Sequence, residues 1–250
     1  MNLTFCGRTH ICGRSNNEDA FDMQRITDHL ALFAVADGLG GHPAGEVASR
    51  IAISALVDTV RSLASKNVSS FPAQMQEILS LGFLAASRAI SDDFTHNPGH
   101  TGMGTTLLAA LINDSFDCVV ANVGDSRAYC GSDTLIPITR DHSLVQEMVG
   151  RGIITREEAR LRTDKNIVTR IISDTPVHPD FTVFQLEKNT LLLCTDGLTD
   201  ALSDGEIFSE IKNMDISQIC KNLIEHCQQV NRDNTTIIVI RAASEGAREL

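Results

Sequence analysis

Residues 30–41 read LALFAVADGLGG, an unbroken apolar run from Leu30 to Ala36 closed by Asp37 and then by Gly38, Gly40 and Gly41. The run has strand length and is bounded by turn residues, so it reads as a β-strand. A strand that ends in a carboxylate delivers that carboxylate to the rim of a sheet. The arrangement recurs: Val119 to Val123 leads into Gly124-Asp125-Ser126, and Leu191 to Cys194 leads into Asp196-Gly197, with Asp200 shortly after. Asp233-Asn234 shows the reverse order, the apolar run Thr235 to Ile240 following it, and Asn17-Glu18-Asp19 stands just before residues 21–26, which read as a strand. Several such strands side by side gather hard oxygen ligands, which magnesium and manganese prefer.

Working outward, residues 3–12 and 21–26 also read as strands. A helical pattern opens at Pro43, with Ala48, Ala52, Ala55, Leu56, Val60 and Leu63 on one face. After the polar break at 65–70, Pro72 opens a second helix with Met75, Ile78, Leu79, Phe83, Ala86 and Ile90 inward. Residues 96–104 form a loop, and 105–112 and 116–123 are strands. Gly124-Asp125 reads as a tight turn, predicting a hairpin into the strand at 127–130. Residues 140–180, rich in Arg, Asp, Thr and Ile, read as an excursion from the core carrying short helices near 144–149 and 156–161. Strands follow at 181–186 and 190–194, helices at 204–214 and 216–230, and a last strand at 235–241. Strands in direct succession, and helices likewise, favour antiparallel sheets and an α+β layout over βαβ winding.

The 250 residues carry a net charge of −11, with 32 acidic against 21 basic side chains, and tryptophan is absent. That balance is the opposite of a non-specific nucleic-acid binder, and aromatics at 4% offer no base-stacking surface. The longest apolar run, 30–36, is too short to span a bilayer, and the first residues lack a signal-peptide pattern, so no membrane insertion and a cytoplasmic location are expected. The seven cysteines form no CxxC pair. Cys118, Cys194 and Cys220 lie within apolar periodicity and read as core thiols in a reducing compartment.

Each acidic motif has a plain alternative. Asp37-Gly38 is a favoured turn dipeptide, but the glycines that follow also let backbone approach an ion or phosphate closely. Asp196 could be the N-cap of a helical turn with Asp200 at the surface, or the two could face one point. Glu18-Asp19 could be an exposed acidic loop, Asp125 a turn residue and Asp233-Asn234 a strand-entry turn. Arg14 is either a structural ion pair or a phosphate fork, and Arg127 reads as a partner of a nearby carboxylate. His42, close to Gly40-Gly41, is either a proton donor or a solvated loop histidine. His142 reads as a hydrogen-bond donor that fixes a loop. The templates for a nucleophile elbow, a P-loop, an EF-hand and an aspartyl-phosphate enzyme are all missing.

Taken in order, Arg14 to Ala20, Val35 to Gly41, Gly102-Met103-Gly104-Thr105-Thr106, Asn122 to Ala128, Thr195 to Asp200 and Arg232 to Thr236 resemble the metal-dependent type 2C Ser/Thr protein phosphatases. Any one motif is weak, whereas the ordered set, running from about Arg14 to Ile240, is specific. The resemblance implies an α+β, four-layer α-β-β-α sandwich of two antiparallel sheets flanked by helices. It implies a single catalytic domain over 1–250, with a flap at about 140–180 and a short tail at about 242–250. It also implies two core Mn²⁺ or Mg²⁺ ions. Asp37 would bridge them, Glu18 and the Gly38 carbonyl would serve one, and Asp196 and Asp233 the other. Asp125, Asp196 and Asp200 would hold a third, weaker ion. Arg14 would bind the substrate phosphate, and Asp19 and Asn234 would stand behind the ligands.

The implied reaction is attack on phosphoserine or phosphothreonine by a metal-bridging hydroxide. The implied partners are phosphorylated proteins, including a cognate Ser/Thr kinase, and the implied state is a monomer. Animal members carry His where this chain has Leu39, so another group must protonate the leaving oxygen, and His42 is the candidate. Two alternatives stand beside this reading: a catalytically idle phosphoprotein-binding module on the same fold, and a hydrolase of small phosphate monoesters.

Overall fold

The computed structural model describes residues 2–39, 44–64, 71–212, 214–230 and 233–242. Its first strands are β1 (Leu3–His10), β2 (Asp19–Thr27) and β3 (Leu30–Asp37). The apolar run of β3 is buried on both sides. Leu30, Leu32, Ala34 and Ala36 pack against the helices α1 (Gly45–Ala64) and α2 (Pro72–His96). Ala31, Phe33 and Val35 point the other way, into a core shared with a second sheet. Successive side chains of a strand leave by opposite faces, so a strand buried on both is apolar at every position.

β3 lies inside a five-stranded sheet of order β2-β3-β4-β5-β8, where β4 is Leu107–Asn113, β5 Asp117–Val123 and β8 Asp180–Gln185. The second sheet, also five-stranded, has the order β1-β10-β9-β6-β7, with β6 Arg127–Gly131, β7 Ile136–Pro137, β9 Thr190–Cys194 and β10 Thr235–Ala242. Every pairing is antiparallel. Leu193, Ile238 and Ile240 meet Phe33, Leu108 and Val120 between the sheets. The outer face of the second sheet, including Leu192, Ile237 and Val239, is covered by α5 (Asp196–Ala201), α6 (Asp204–Lys212) and α7 (Ile216–Val230), through Leu198, Ile207, Ile219 and Leu223. Helices on both outer faces and two sheets between them make the four-layer sandwich.

Two expectations are corrected. Gly124-Asp125 is not a hairpin turn: β5 pairs with β4 and β8, whereas β6 pairs with β7 and β9. The chain crosses from one sheet to the other there. Gly124 permits this with a φ of +112°, a conformation in which a Cβ would also strike Thr106. Cys220 is not a free core thiol, because it is bonded to Cys6, joining α7 to β1 across a Cα–Cα separation of 6.4 Å. Cys118 and Cys194 are buried free thiols, as periodicity implies.

Residues between β7 and β8 leave the sheets and carry α3 (Leu144–Gly150) and α4 (Arg156–Leu161). Ser143 caps the first by accepting from the Gln146 amide, and Thr155 and Glu158 form a reciprocal capping box on the second. This local chemistry lets such short helices form with few buried residues of their own.

The ring of Phe33, wholly buried between the sheets, meets that of Phe5 edge-on at a centroid distance of 5.1 Å. Phe33→Ala should lower unfolding stability by about 3–5 kcal/mol in urea titrations. A loss below about 1 kcal/mol would show that the two sheets do not depend on this contact.

Candidate metal centre

The strand ends that carry acidic motifs meet at one edge of the sandwich. Asp19 opens β2 and Asp37 closes β3, and the two are direct ladder partners. β5 runs into Asp125, β9 into Thr195 and Asp196, and β10 starts just after Asp233-Asn234. The two sheets are tied here through hydroxyls. Thr195 Oγ1 donates to Asp19 Oδ2 at 2.9 Å and Thr236 Oγ1 donates to the same oxygen at 2.6 Å. Thr195 and Thr236 are themselves locked together, with the Thr195 amide on the Thr236 carbonyl at 3.0 Å and the Thr236 amide on Thr195 Oγ1 at 2.9 Å.

Asp37 is held by a motif whose role the sequence left unassigned. Its amide donates to Thr106 Oγ1 at 2.9 Å, and its carbonyl accepts from the Thr105 hydroxyl and the Thr106 amide, both at 2.8 Å. Thr106 Oγ1 also lies 2.9 Å from Ser126 Oγ, which couples Asp37 to the loop of Asp125. These contacts explain why β4 starts at Leu107 and not at Thr105, which bridges Gly38 and Ile172 instead. Adjacent threonines at a strand entry were the available signal.

Asn234 ties down the loop that bears Arg14 and Glu18. Its Oδ1 accepts from the Glu18 amide at 2.9 Å, and its Nδ2 donates to the carbonyls of Ile11 and Asn16. Gly38 and Gly197 allow the close approaches: a Cβ on Gly38 would meet the Gly45 carbonyl and Glu18 backbone, and one on Gly197 the Asn234 carbonyl. The N-cap of α5 is Thr195, so Asp196 lies in the first helical turn and is not its cap.

The resulting field is strongly negative. Burial raises the Asp19 carboxyl to about 7, its two hydroxyl partners pulling down and Asp196 and Asp233 pushing up. Asp196 is raised to about 6 by burial and by Asp233 and Asp200, while a hydrogen bond with Asp37 offsets part of the rise. Asp37 and Asp125 are likewise raised by burial and by neighbouring carboxylates, and Glu18 by burial against the pull of Arg14. Asp19 Oδ1 and Asp196 Oδ1 are buried with no hydrogen-bond partner.

Cations stand on two of the acids. Arg14 pairs with Asp233 at 2.7 Å, and Lys165, from the excursion between β7 and β8, pairs with Asp200 at 2.6 Å. Among the described residues no three acidic side chains already converge closely enough to ligate one ion. The donor chemistry nevertheless fits a hard divalent cation: the set is all oxygen, it is crowded beyond what Arg14 and Lys165 neutralise, and two of its buried oxygens lack any partner.

The sequence candidates therefore separate. Glu18, Asp19, Asp37, Gly38, Asp125, Asp196 and Asp233 share the edge, and Asp200, one helical turn after Asp196 on α5, stands exposed beside it at the cavity rim. Arg14 takes the ion-pair role. His42, with Gly40 and Gly41, lies outside the described residues. Arg127 pairs with Asp141 at 2.7 Å, as expected. His142 fixes a loop from both ring nitrogens: Nε2 donates to Asp180 Oδ2 at 3.1 Å, as expected, and Nδ1 accepts from the Gly124 amide at 3.0 Å. Lys165 was missed, since nothing local marks a lysine in a polar excursion.

A family model described as protein phosphatase 2C matches residues 6–235. The serine/threonine protein phosphatase PstP of Mycobacterium tuberculosis is 34% identical over 229 residues, covering 90% of this chain, and the chain spans 42% of that protein's length. The solved structure of the serine/threonine phosphatase Stp1 from Staphylococcus aureus superposes with a TM-score of 0.88 at 32% identity, covering 98% of this chain and 96% of that one. The catalytic domain of PstP, solved in complex with 2 manganese ions, superposes with a TM-score of 0.80 at 32% identity, covering 96% of this chain and 98% of that one.

Asp19 and Asp196 keep their protons when folded, at about 7 and about 6, where an unfolded aspartate with a value of 3.8 has lost its own. The folded state then binds more protons between about pH 4 and about pH 7, so stability falls as pH rises through that window. Thermal melts of chelator-treated protein should show Tm declining from about pH 5 to about pH 7.5. Manganese competes with those protons and should raise Tm more at the higher pH. A metal-induced shift that is larger at about pH 5 would overturn this account.

Proposed function

We propose that this chain, which belongs to the protein phosphatase 2C family, hydrolyses phosphoserine and phosphothreonine in proteins with the help of divalent metal ions. The observation that carries the reading is the pair of buried, unpartnered oxygens, Asp19 Oδ1 and Asp196 Oδ1, within an all-oxygen cluster. Asp37 would be shared by two Mn²⁺ or Mg²⁺ ions, with Glu18 and the Gly38 carbonyl toward one and Asp196 and Asp233 toward the other. Asp125, Asp196 and Asp200 would serve a third, weaker ion. Such ions supply Lewis acidity and a water acidic enough to attack phosphorus at neutral pH.

The chain's own groups orient the reaction. Asp19 is clamped through Oδ2, which leaves Oδ1 as an acceptor that can hold a water by its proton. Arg14 is exposed at the lip, and its guanidinium fork matches two non-bridging oxygens of a phosphoryl group. It reaches that role by leaving Asp233, whose Oδ2 would then turn from the guanidinium toward a cation. Leu39 has no proton to give, and His42 is the proposed donor to the departing side-chain oxygen.

The proposed unit is a single catalytic domain over 1–250 with 140–180 as its flap and 242–250 as a tail. It would act in the cytoplasm as a monomer on phosphorylated proteins, including a Ser/Thr kinase, without nucleic-acid partners. No helix among the described residues is long and apolar enough to cross a membrane. An idle binding module is disfavoured because every expected ligand carboxylate is present in the sequence.

Hydrolysis of an aryl phosphate with added manganese should be abolished by chelator. Asp37→Asn and Asp196→Asn should each lower kcat by roughly 100-fold or more while circular dichroism stays unchanged, and near-normal turnover in folded Asp37→Asn sinks the metal reading. Arg14→Ala should mainly raise KM for the aryl phosphate, and an unchanged KM argues against its phosphate role. Phosphopeptides should be turned over faster than sugar phosphates, and the opposite ranking favours the small-monoester alternative.

A further inference from the structure

The carboxylate edge opens into a cavity of about 640 Å³, bounded by Asp125, Asp196 and Asp200 on one side and by the excursion that carries α3 and α4. Pockets for whole small molecules span roughly 300–1,000 Å³. A phosphoryl group seated at the carboxylates would leave much of this space for the polypeptide that bears it.

The cations that line the cavity are not equivalent. Arg127 is taken by Asp141 at 2.7 Å, Arg160 faces Asp204 at 3.7 Å and Lys165 holds Asp200 at 2.6 Å. Arg160 and Lys165 thereby pin the excursion over α5 and α6. Arg140 and Arg156 also line the cavity, and neither has an acceptor or ion-pair partner among the described residues. The Arg140 guanidinium lies over Gly150, the last residue of α3, where any side chain would displace it. Glu157 is the acid beside Arg156 on the same wall.

Unpaired guanidinium groups on a cavity wall present forked donors that match carboxylate and phosphate oxygens. The surrounding protein has a net charge of −11 and repels an acidic polypeptide, so a local positive wall is what would admit one. We propose that Arg140 and Arg156 form a second anion subsite, taking an acidic side chain or a second phosphate on the same polypeptide as the phosphate to be removed. The inference rests on the phosphatase reading and names its substrate class: phosphosites with acidic or phosphorylated flanks.

The test uses phosphothreonine peptides that differ only in their flanks, which are neutral, glutamate-bearing on both sides, or carrying a second phosphoserine. The chain with manganese should process the anionic peptides with a kcat/KM about tenfold above the neutral one at low salt, the size expected of two solvent-exposed charge contacts. The advantage should shrink as salt is added. In the Arg140→Ala/Arg156→Ala variant it should vanish, while turnover of an aryl phosphate, which carries no flank, gauges the integrity of the reacting edge. Equal rates for neutral and anionic peptides in the unaltered chain, or an advantage that survives in the variant, overturns the subsite. If the aryl phosphate is not hydrolysed at all, the phosphatase reading fails by itself. Fluorescence anisotropy of the labelled peptides then decides the subsite, which requires tighter binding of the anionic peptides that the double variant loses and is overturned by equal binding.

Discussion

A carboxylate of one sheet gripped by two hydroxyls of the other sets the geometry on which the site depends. Asp19 Oδ2 receives both Thr195 and Thr236, so the start of β2 cannot drift from the ends of β9 and β10. Since Asp19 is also the ladder partner of Asp37, the same grip aligns Asp37 against Asp196. Both hydrogen bonds are buried, and both favour the ionised form of the carboxyl against the burial that disfavours it. They offset part of the cost of sinking a carboxylate among its own kind, but leave one oxygen of Asp19 without a partner.

The fold concentrates repulsion at that edge and relieves it elsewhere. Three apolar layers stabilise the molecule away from the edge, and the strand ends, freed from packing duty, carry groups whose mutual repulsion would not be tolerated inside those layers. Arg14 and Lys165 answer part of the charge, each from a segment outside the sheets. A site assembled in this way is poised to accept cations, because each one that binds removes repulsion already present in the folded chain.

The excursion between β7 and β8 is built differently. Its helices are held by caps and by ion pairs to α5 and α6, with little apolar burial. A segment fastened by partly exposed charges responds to ionic conditions more than the sandwich beneath it does. It also brings Lys165 to an acid at the rim of the site and leaves Arg140 and Arg156 unengaged on the wall of the cavity.

Local sequence determined the layers. Continuous apolar residues in β3, β9 and β10, in runs too short for a helix and bounded by turn residues, read as strands buried on both faces, and the helical stripe through Ile219 and Leu223 has one partner face to find. The acids at the ends of those strands were legible for the same reason, since strand direction fixes where an end residue is delivered. What the chain does at Gly124 was not legible. A glycine–aspartate pair serves a hairpin or a crossing between sheets equally well, and only the competition of β8 and β9 for the free edges decided for the crossing. The pairing of Cys6 with Cys220, the grip of Thr195 and Thr236 on Asp19, and the reach of Lys165 to Asp200 join residues far apart in the chain. Such contacts leave no periodic trace, because they depend on the packing of whole layers and not on the spacing of neighbours.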